Sequence, residues 1–476
     1  MSVRKILLTT TTALVLLTGG LMVTRGGLGS PADAAPVPTP AVTPMTNAPM
    51  TETPFHYGSV GATTIYRRGT EPGRFVILIS DKTGWTPVMT DLARQLTASD
   101  ATVVGVDLPR FLAAAQREAG NHGLYPAGDF SELAQAAQKA LKFSGYHKPV
   151  LVGRGAGGAL AYGTLAQSPA GIFQGGVALD FTPALATPHP LLAGDGGLLH
   201  TGAAGAFTYQ PAAKLSVPFV SLQAIDGAHD FFGKIPSARV QPLVADAALA
   251  PQVGQALATV APIAAAPRVA AAQLAGLPLV EVPAAPGGDT LAVFYSGDGG
   301  WAGIDRGLAQ GFVKAGVPVV GYDSLRYFWT KRTPQQAADD LTAVIRHYQA
   351  AWGKKRVILA GYSFGADALP IIVQHLPADI RDQVRVVTLL GTDSTGELEF
   401  HPGDWLNASS KDSYQIAPVL TALKGTPVVC IYGQQEHDDA CPVFPVQVRK
   451  IALPGDHHFN GDYDAVGRAL VQAAGL

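Results

Sequence analysis

The residues best suited to chemistry in this chain are a serine, a loop of acids and a pair of histidines, met in that order along the sequence. The serine is Ser363, in Gly361-Tyr362-Ser363-Phe364-Gly365, between the apolar run Val357-Ile358-Leu359-Ala360 and the stretch Ala366 to Leu369. A strand that meets G-x-S-x-G and passes into a helix is a nucleophile elbow. Its glycines let strand and helix approach, and its serine hydroxyl stands at the C-terminal edge of the sheet over a helix N-terminus. Such a serine attacks an acyl carbon when a histidine takes its proton and an acid orients the histidine. The acid is expected in the loop after the strand Pro427 to Tyr432, which reads Gly433-Gln434-Gln435-Glu436-His437-Asp438-Asp439-Ala440-Cys441. Glu436 is the first choice there, then Asp438, then Asp439. The base is expected in Leu453-Pro454-Gly455-Asp456-His457-His458-Phe459, with His457 preferred to His458. The developing oxyanion needs the N–H of Phe364 and a second from the turn Ser296 to Gly300, from Gly297 or Asp298. Adjacent histidines point apart and no third ligand is near in sequence, so no metal site is expected.

The elements that must hold these residues follow from periodicity. Strands are predicted near 290–295, 317–322, 356–360, 385–391, 426–432 and 447–453, with helices over 303–315, 335–352, 363–375 and 463–474. Alternating strands and helices make a mostly parallel, doubly wound sheet, and serine, acid, histidine is the chain order of an α/β-hydrolase.

The first half repeats this plan. Phe75 to Ser80 leads into Ser80-Asp81-Lys82-Thr83-Gly84-Trp85, as Val293 to Ser296 leads into Ser296-Gly297-Asp298-Gly299-Gly300-Trp301. Asp107 and Asp323 each lie 22 residues past their tryptophan, and Arg110 and Arg326 follow at one offset. Pro149 to Gly157 matches Val357 to Gly365 and puts Gly155 where the second copy has Ser363. The chain is thus read as two tandem α/β-hydrolase-like domains, the first catalytically degenerate. Trp301, Asp323 and Arg326, shared by both copies, are assigned to scaffold. Asp298 (opposite Lys82), Ser363, the acid and the histidine belong to the second copy alone. Gly153 to Gly158 also fits a dinucleotide fingerprint with Asp180 downstream, but it comes late in its domain and its counterpart is the serine elbow, so no cofactor is expected. Pro183 to Tyr209 reads as a lid or an insertion.

At 15% charged residues, 47% apolar and a formal net charge of −2, the chain lacks the basic face that nucleic acid requires. Arg4 and Lys5 precede an uncharged run from Ile6 to Val23 and then Ala32-Asp33-Ala34, a secretory signal over 1–34 that an uncleaved anchor would resemble. Residues 35–54 read as a Pro/Thr-rich tether, 55–260 as the degenerate domain, 261–286 as an Ala/Pro-rich linker and 287–476 as the catalytic domain. Cys430 and Cys441, the only two cysteines, are expected to pair in an oxidising compartment, the periplasm.

Tyr295 to Trp301, Gly361 to Asp367, Ile431-Tyr432-Gly433 with Cys441-Pro442, and Pro454 to Phe459 together resemble the bacterial virulence protein family VirJ/AcvB. The likeness spans the second half, and a signal plus a degenerate first half is similar to the longer, AcvB-like members. The resemblance implies a periplasmic serine esterase that removes lysine from the membrane phospholipid lysyl-phosphatidylglycerol. It also implies links to virulence and to the proteins of type IV secretion. Two ammonium groups on such a substrate need anionic partners, for which Asp298 and Asp367 are suitably placed. The alternative is a binding or scaffold protein of the secretion apparatus that reuses the fold.

Overall fold

The computed structural model describes residues 48–476 except 120–122, 195–196, 214, 225–228, 245–246, 264–273 and 403–411. The expected signal and most of the tether lie outside the described residues. No described helix is long and apolar enough to cross a membrane.

Two sheets carry the molecule. The first comprises β1 (Met50–Tyr57), β2 (Gly61–Arg68), β3 (Arg74–Ile79), β4 (Ala101–Val106), β5 (Pro149–Arg154), β6 (Gly175–Leu179), β7 (Phe219–Gln223) and β8 (Ala238–Pro242). Its order is β1-β2-β4-β3-β5-β6-β7-β8. The second comprises β9 (Leu279–Val282), β10 (Thr290–Tyr295), β11 (Val319–Tyr322), β12 (Arg356–Tyr362), β13 (Val384–Leu390), β14 (Val428–Gly433) and β15 (Arg449–Leu453), ordered β9-β11-β10-β12-β13-β14-β15. From β2 and β9 onward the two orders coincide, with one antiparallel strand and six parallel strands in each. The duplication seen in sequence is therefore a duplication of topology, and both sheets are of the α/β-hydrolase class.

Central strands such as Arg74–Ile79 and Thr290–Tyr295 are buried along their whole length, as parallel strands covered on both faces must be. Helices supply the cover: α1 (Pro87–Leu96), α2 (Leu108–Ala119), α3 (Pro126–Ala140), α4 (Ala156–Gln167) and α5 (Leu249–Val260) in the first half. In the second they are α6 (Gly303–Lys314), α7 (Pro334–Trp352), α8 (Phe364–Gln374) and α9 (Tyr463–Ala473). Helix α7 shows how local sequence sets the ends. Thr333 and Gln336 form a reciprocal capping box at its start, and Gly353 takes the left-handed conformation just past its end.

Two sequence boundaries are corrected. Residues 50–54, assigned to the tether, belong to β1, which pairs with β2 over its full length. Pro54 does not prevent this because β1 is an edge strand. Likewise β9 lies within the stretch read as linker, because a four-residue strand between Pro278 and Pro283 gives almost no periodic signal. Residues 183–194 and 197–209 form a packed insertion whose three short strands pair antiparallel, with Leu191 and Tyr209 buried against α4 near Gly163.

The halves are in direct contact. Trp329, 2% exposed, donates its indole N–H to Phe143 O at 2.9 Å and packs on Tyr146. Lys139 Nζ donates to Trp329 O at 2.6 Å, and Lys148 pairs with Asp323 at 3.8 Å.

Candidate active site

Ser363 follows β12 directly and has φ 51° and ψ −124°, a conformation costly for a residue with a Cβ and of the kind that clusters at functional sites. The flanking glycines make it possible. A Cβ at Gly365 would lie 2.5 Å from the carbonyl oxygens of Tyr295 and Ser296, and one at Gly361 would strike Gly365 O. The elbow helix α8 can therefore start in backbone contact with the end of β10. Ser363 N–H donates to Leu390 O at 2.8 Å, tying the elbow to the end of β13.

The imidazole of His457 lies over the next residue, Gly391, where any Cβ would fall 2.8 Å from the ring. Tyr362 supports the histidine from the strand, its ring packing at a tilt with centroids 5.1 Å apart and its hydroxyl donating to His457 O at 3.2 Å. His457 Nδ1 is 2.5 Å from Glu436 Oε1, and the Glu436 side chain is only 9% exposed. Burial alone would lower the imidazole's pKa. The hydrogen bond and charge of Glu436, with the charge of Asp298, more than reverse this and hold it above its ordinary value.

Of the other sequence candidates, Asp438 is exposed and His458 points its ring edge-on to His457 from an exposed position. Asp439 is committed to backbone: its oxygens accept the N–H groups of Cys441 at 2.6 Å and Thr392 at 3.2 Å. Cys430 and Cys441 are disulfide-bonded with Cα atoms 5.7 Å apart, closing the loop that carries Glu436. Asp367 accepts from Thr392 Oγ1 and Asp393 N–H, both at 2.8 Å, and burial pushes its carboxyl up to about 8. Thr392 thus links α8 to the acid loop through Asp367 on one side and Asp439 on the other.

The turn after β10 completes the site. A Cβ at Gly297 would lie 3.5 Å from Ser363 Cβ, so this turn flanks the elbow. Gly297 N–H, however, donates to Asp305 Oδ1 at 3.3 Å and is thereby engaged within the protein. That narrows the sequence expectation for the second oxyanion donor to Asp298 N–H, which, like Phe364 N–H, has no acceptor among the described residues. Asp298 itself is exposed. The first half borders this turn, with Ile172 against Gly299 and Gly171 against the carbonyl of Trp301.

The matching place in the first half is built alike and closed. Gly155 has φ 52° and ψ −117°, nearly the Ser363 conformation, without a side chain. Asp81, opposite Gly297, accepts the N–H of Ala156 at 2.9 Å, the donor that corresponds to Phe364 N–H. A Cβ on Gly155 would meet Asp81 Oδ1 at 2.4 Å. The shared residues are scaffold in both copies: Asp107 and Asp323 accept the N–H of Arg110 and Arg326, and each tryptophan ring lies on a strand glycine, Gly105 or Gly321.

Sequence reasoning missed Asp305, Thr392 and the bordering role of the first half. Asp305 had a signal, since the first copy has Met89 at the matching place.

Residues 289–475 match the family model described as "Bacterial virulence protein (VirJ)". No curated protein matches the chain. Among solved structures, Est1E from Butyrivibrio proteoclasticus with bound ferulic acid is similar at 16% identity over 41% of this chain and 93% of that one, with a TM-score of 0.30. XC6422 from Xanthomonas campestris, described as an α/β serine hydrolase without a lid, is similar at 14% identity over 41% and 86%, with a TM-score of 0.28. Proline iminopeptidase from Mycobacterium smegmatis is similar at 16% identity over 41% and 94%, with a TM-score of 0.30.

Proposed function

We propose that the protein, whose residues 289–475 match the family model of the bacterial virulence protein VirJ, is an exported serine esterase that hydrolyses the aminoacyl ester of lysyl-phosphatidylglycerol. The carrying observation is that Ser363, in the elbow conformation, donates its N–H to Leu390 O, while the imidazole of His457, paired to Glu436, lies over the adjacent Gly391. Ser363 Oγ attacks the ester carbonyl carbon while His457 Nε2 takes its proton and Glu436 holds Nδ1–H. The N–H groups of Phe364 and Asp298 receive the oxyanion. His457 returns the proton to the glycerol oxygen as phosphatidylglycerol leaves, and water then resolves the lysyl-enzyme to lysine and free Ser363.

The substrate class is supported by charge beside the elbow. Asp298 is exposed, and its charge is felt by His457 on one side and by Glu132 of the first half on the other. A substrate with two ammonium groups suits such surroundings better than an anionic or neutral one. The disulfide and the N-terminal signal read from sequence support a periplasmic location, with membrane lipid homeostasis as the link to virulence.

The test is lysine release from vesicles containing lysyl-phosphatidylglycerol. The wild type should release lysine and regenerate phosphatidylglycerol, and Ser363→Ala should lose a thousandfold or more, roughly the effect of removing a triad nucleophile. A wild type that hydrolyses only neutral esters would overturn the substrate. Full activity in Ser363→Ala would overturn the mechanism.

A further inference from the structure

Asp305 is 1% exposed at the third position of α6, and no cation pairs with it among the described residues. Its two oxygens reach the two ends of the turn above it: Oδ1 accepts Gly297 N–H at 3.3 Å and Oδ2 accepts Ala302 N–H at 3.0 Å. Between those anchors Gly300 N–H closes on Gly297 O at 3.1 Å, so residues 298–301 form a small arch fixed at both feet by one side chain. The arch carries Asp298 N–H, which has no acceptor among the described residues, and its foot at Gly297 lies against Ser363.

The first half shows that this fold does not need the carboxyl. At the matching place it has Met89, 2% exposed in the core, and its turn is held from the side instead, by Trp85 N–H on Asp107 Oδ2 at 2.8 Å. Burying an acid without a cation is costly, and burial pushes this carboxyl up to about 7 against the pull of its two N–H donors. The cost is carried only by the copy that also has the serine.

We infer that Asp305 is the positioning residue of the oxyanion hole: by holding Gly297 and Ala302 it aims Asp298 N–H at the oxyanion formed on Ser363. This rests on the serine-esterase reading given above. The residue touches no substrate, so its removal should slow the chemical step and leave substrate affinity nearly unchanged.

The experiment uses the full-length chain and a short neutral p-nitrophenyl ester, with active sites titrated by a fluorophosphonate. Asp305→Met, which installs the first copy's residue, should lower kcat on the order of a hundredfold, the scale of one misplaced oxyanion donor, with KM within about threefold. Asp305→Asn, isosteric and able to accept only one of the two N–H groups, should lose about tenfold and keeps the test valid if the methionine variant does not fold. The rate of phosphonylation at Ser363 should fall by the same factors, because the phosphonyl oxygen occupies the same hole. Unchanged kcat and labelling rate in folded variants, with only a lower Tm, would overturn the inference while leaving Ser363 as nucleophile. Equal activity in Ser363→Ala would instead remove the parent reading.

Discussion

The two halves share one architecture and differ at the few atoms where acyl chemistry would occur. Each has an elbow with φ near 50°, a tryptophan flattened on a strand glycine and an aspartate capping the next helix. The first copy then puts a carboxylate, Asp81, on the helix N–H that the second leaves open, and glycine where the second has serine. These two differences are coupled, since a Cβ at 155 and the Asp81 carboxylate occupy the same space. An elbow is thus a backbone device that stands with or without a serine, and the two copies differ in what occupies the helix N-terminus. The second copy also spends a buried acid, Asp305, on its turn where the first spends apolar packing on Met89.

That contrast can be broken at graded cost. The largest effect is expected from Glu436→Gln, which keeps the shape of the pair but favours the wrong imidazole tautomer and should lower kcat on the order of a thousandfold or more. It also changes the pH profile. Glu436 holds the imidazole above its ordinary value, and the base works only when neutral, so wild-type kcat/KM should rise with pH through that raised value. In the variant the residual activity should have its acidic limb at lower pH; an unmoved limb would mean another group controls it.

Next comes Gly297→Asp, which transplants the closure of the first half onto Phe364 N–H. It should cost on the order of a hundredfold in kcat with the fold kept, measured on a soluble ester beside a thermal melt. Full activity would show that Asp81 is not what closes the first copy.

Smaller and selective is Asp298→Asn. It should weaken hydrolysis of lysyl-phosphatidylglycerol about fivefold to tenfold, the scale of one partly exposed charge contact, and leave a neutral ester nearly unaffected. Equal losses on both would reduce Asp298 to its backbone role.

The smallest effect is on stability. Burial raises Asp367 from the usual 3.8 to about 8, so the folded protein holds a proton that the unfolded chain gives up near pH 4. The stability this gives is full below about pH 4 and is lost as pH rises through about 8. Asp367→Asn, which can still accept from Thr392 and Asp393, should therefore flatten the fall in Tm between pH 5 and 8; an unchanged slope would assign that fall to other groups.

Much of this was legible in the sequence because long apolar strands and helix caps are local signals. The strand before Ser363, the helix after it and the matching turn in the first half all stand where periodicity puts them. The edge strands β1 and β9 were not legible, since one contains a proline and the other is four residues between prolines. Within the acid loop, three carboxylates lie close together in sequence, and position alone cannot say which one faces the histidine. The disulfide and the grip of Asp439 on Thr392 decide that, by turning Glu436 inward and Asp438 out. The border that the Gly171-Ile172 loop makes with the turn after β10 depends on how two sheets dock, which no local pattern encodes.

The most direct test of the contrast is to treat the full-length protein with a fluorophosphonate and map the adduct by peptide mass spectrometry. A single adduct on Ser363, none on any residue of the first half and none in Ser363→Ala is the expected result. Folded protein that takes no adduct, or takes it equally in Ser363→Ala, would contradict the assignment of the second copy as the working enzyme.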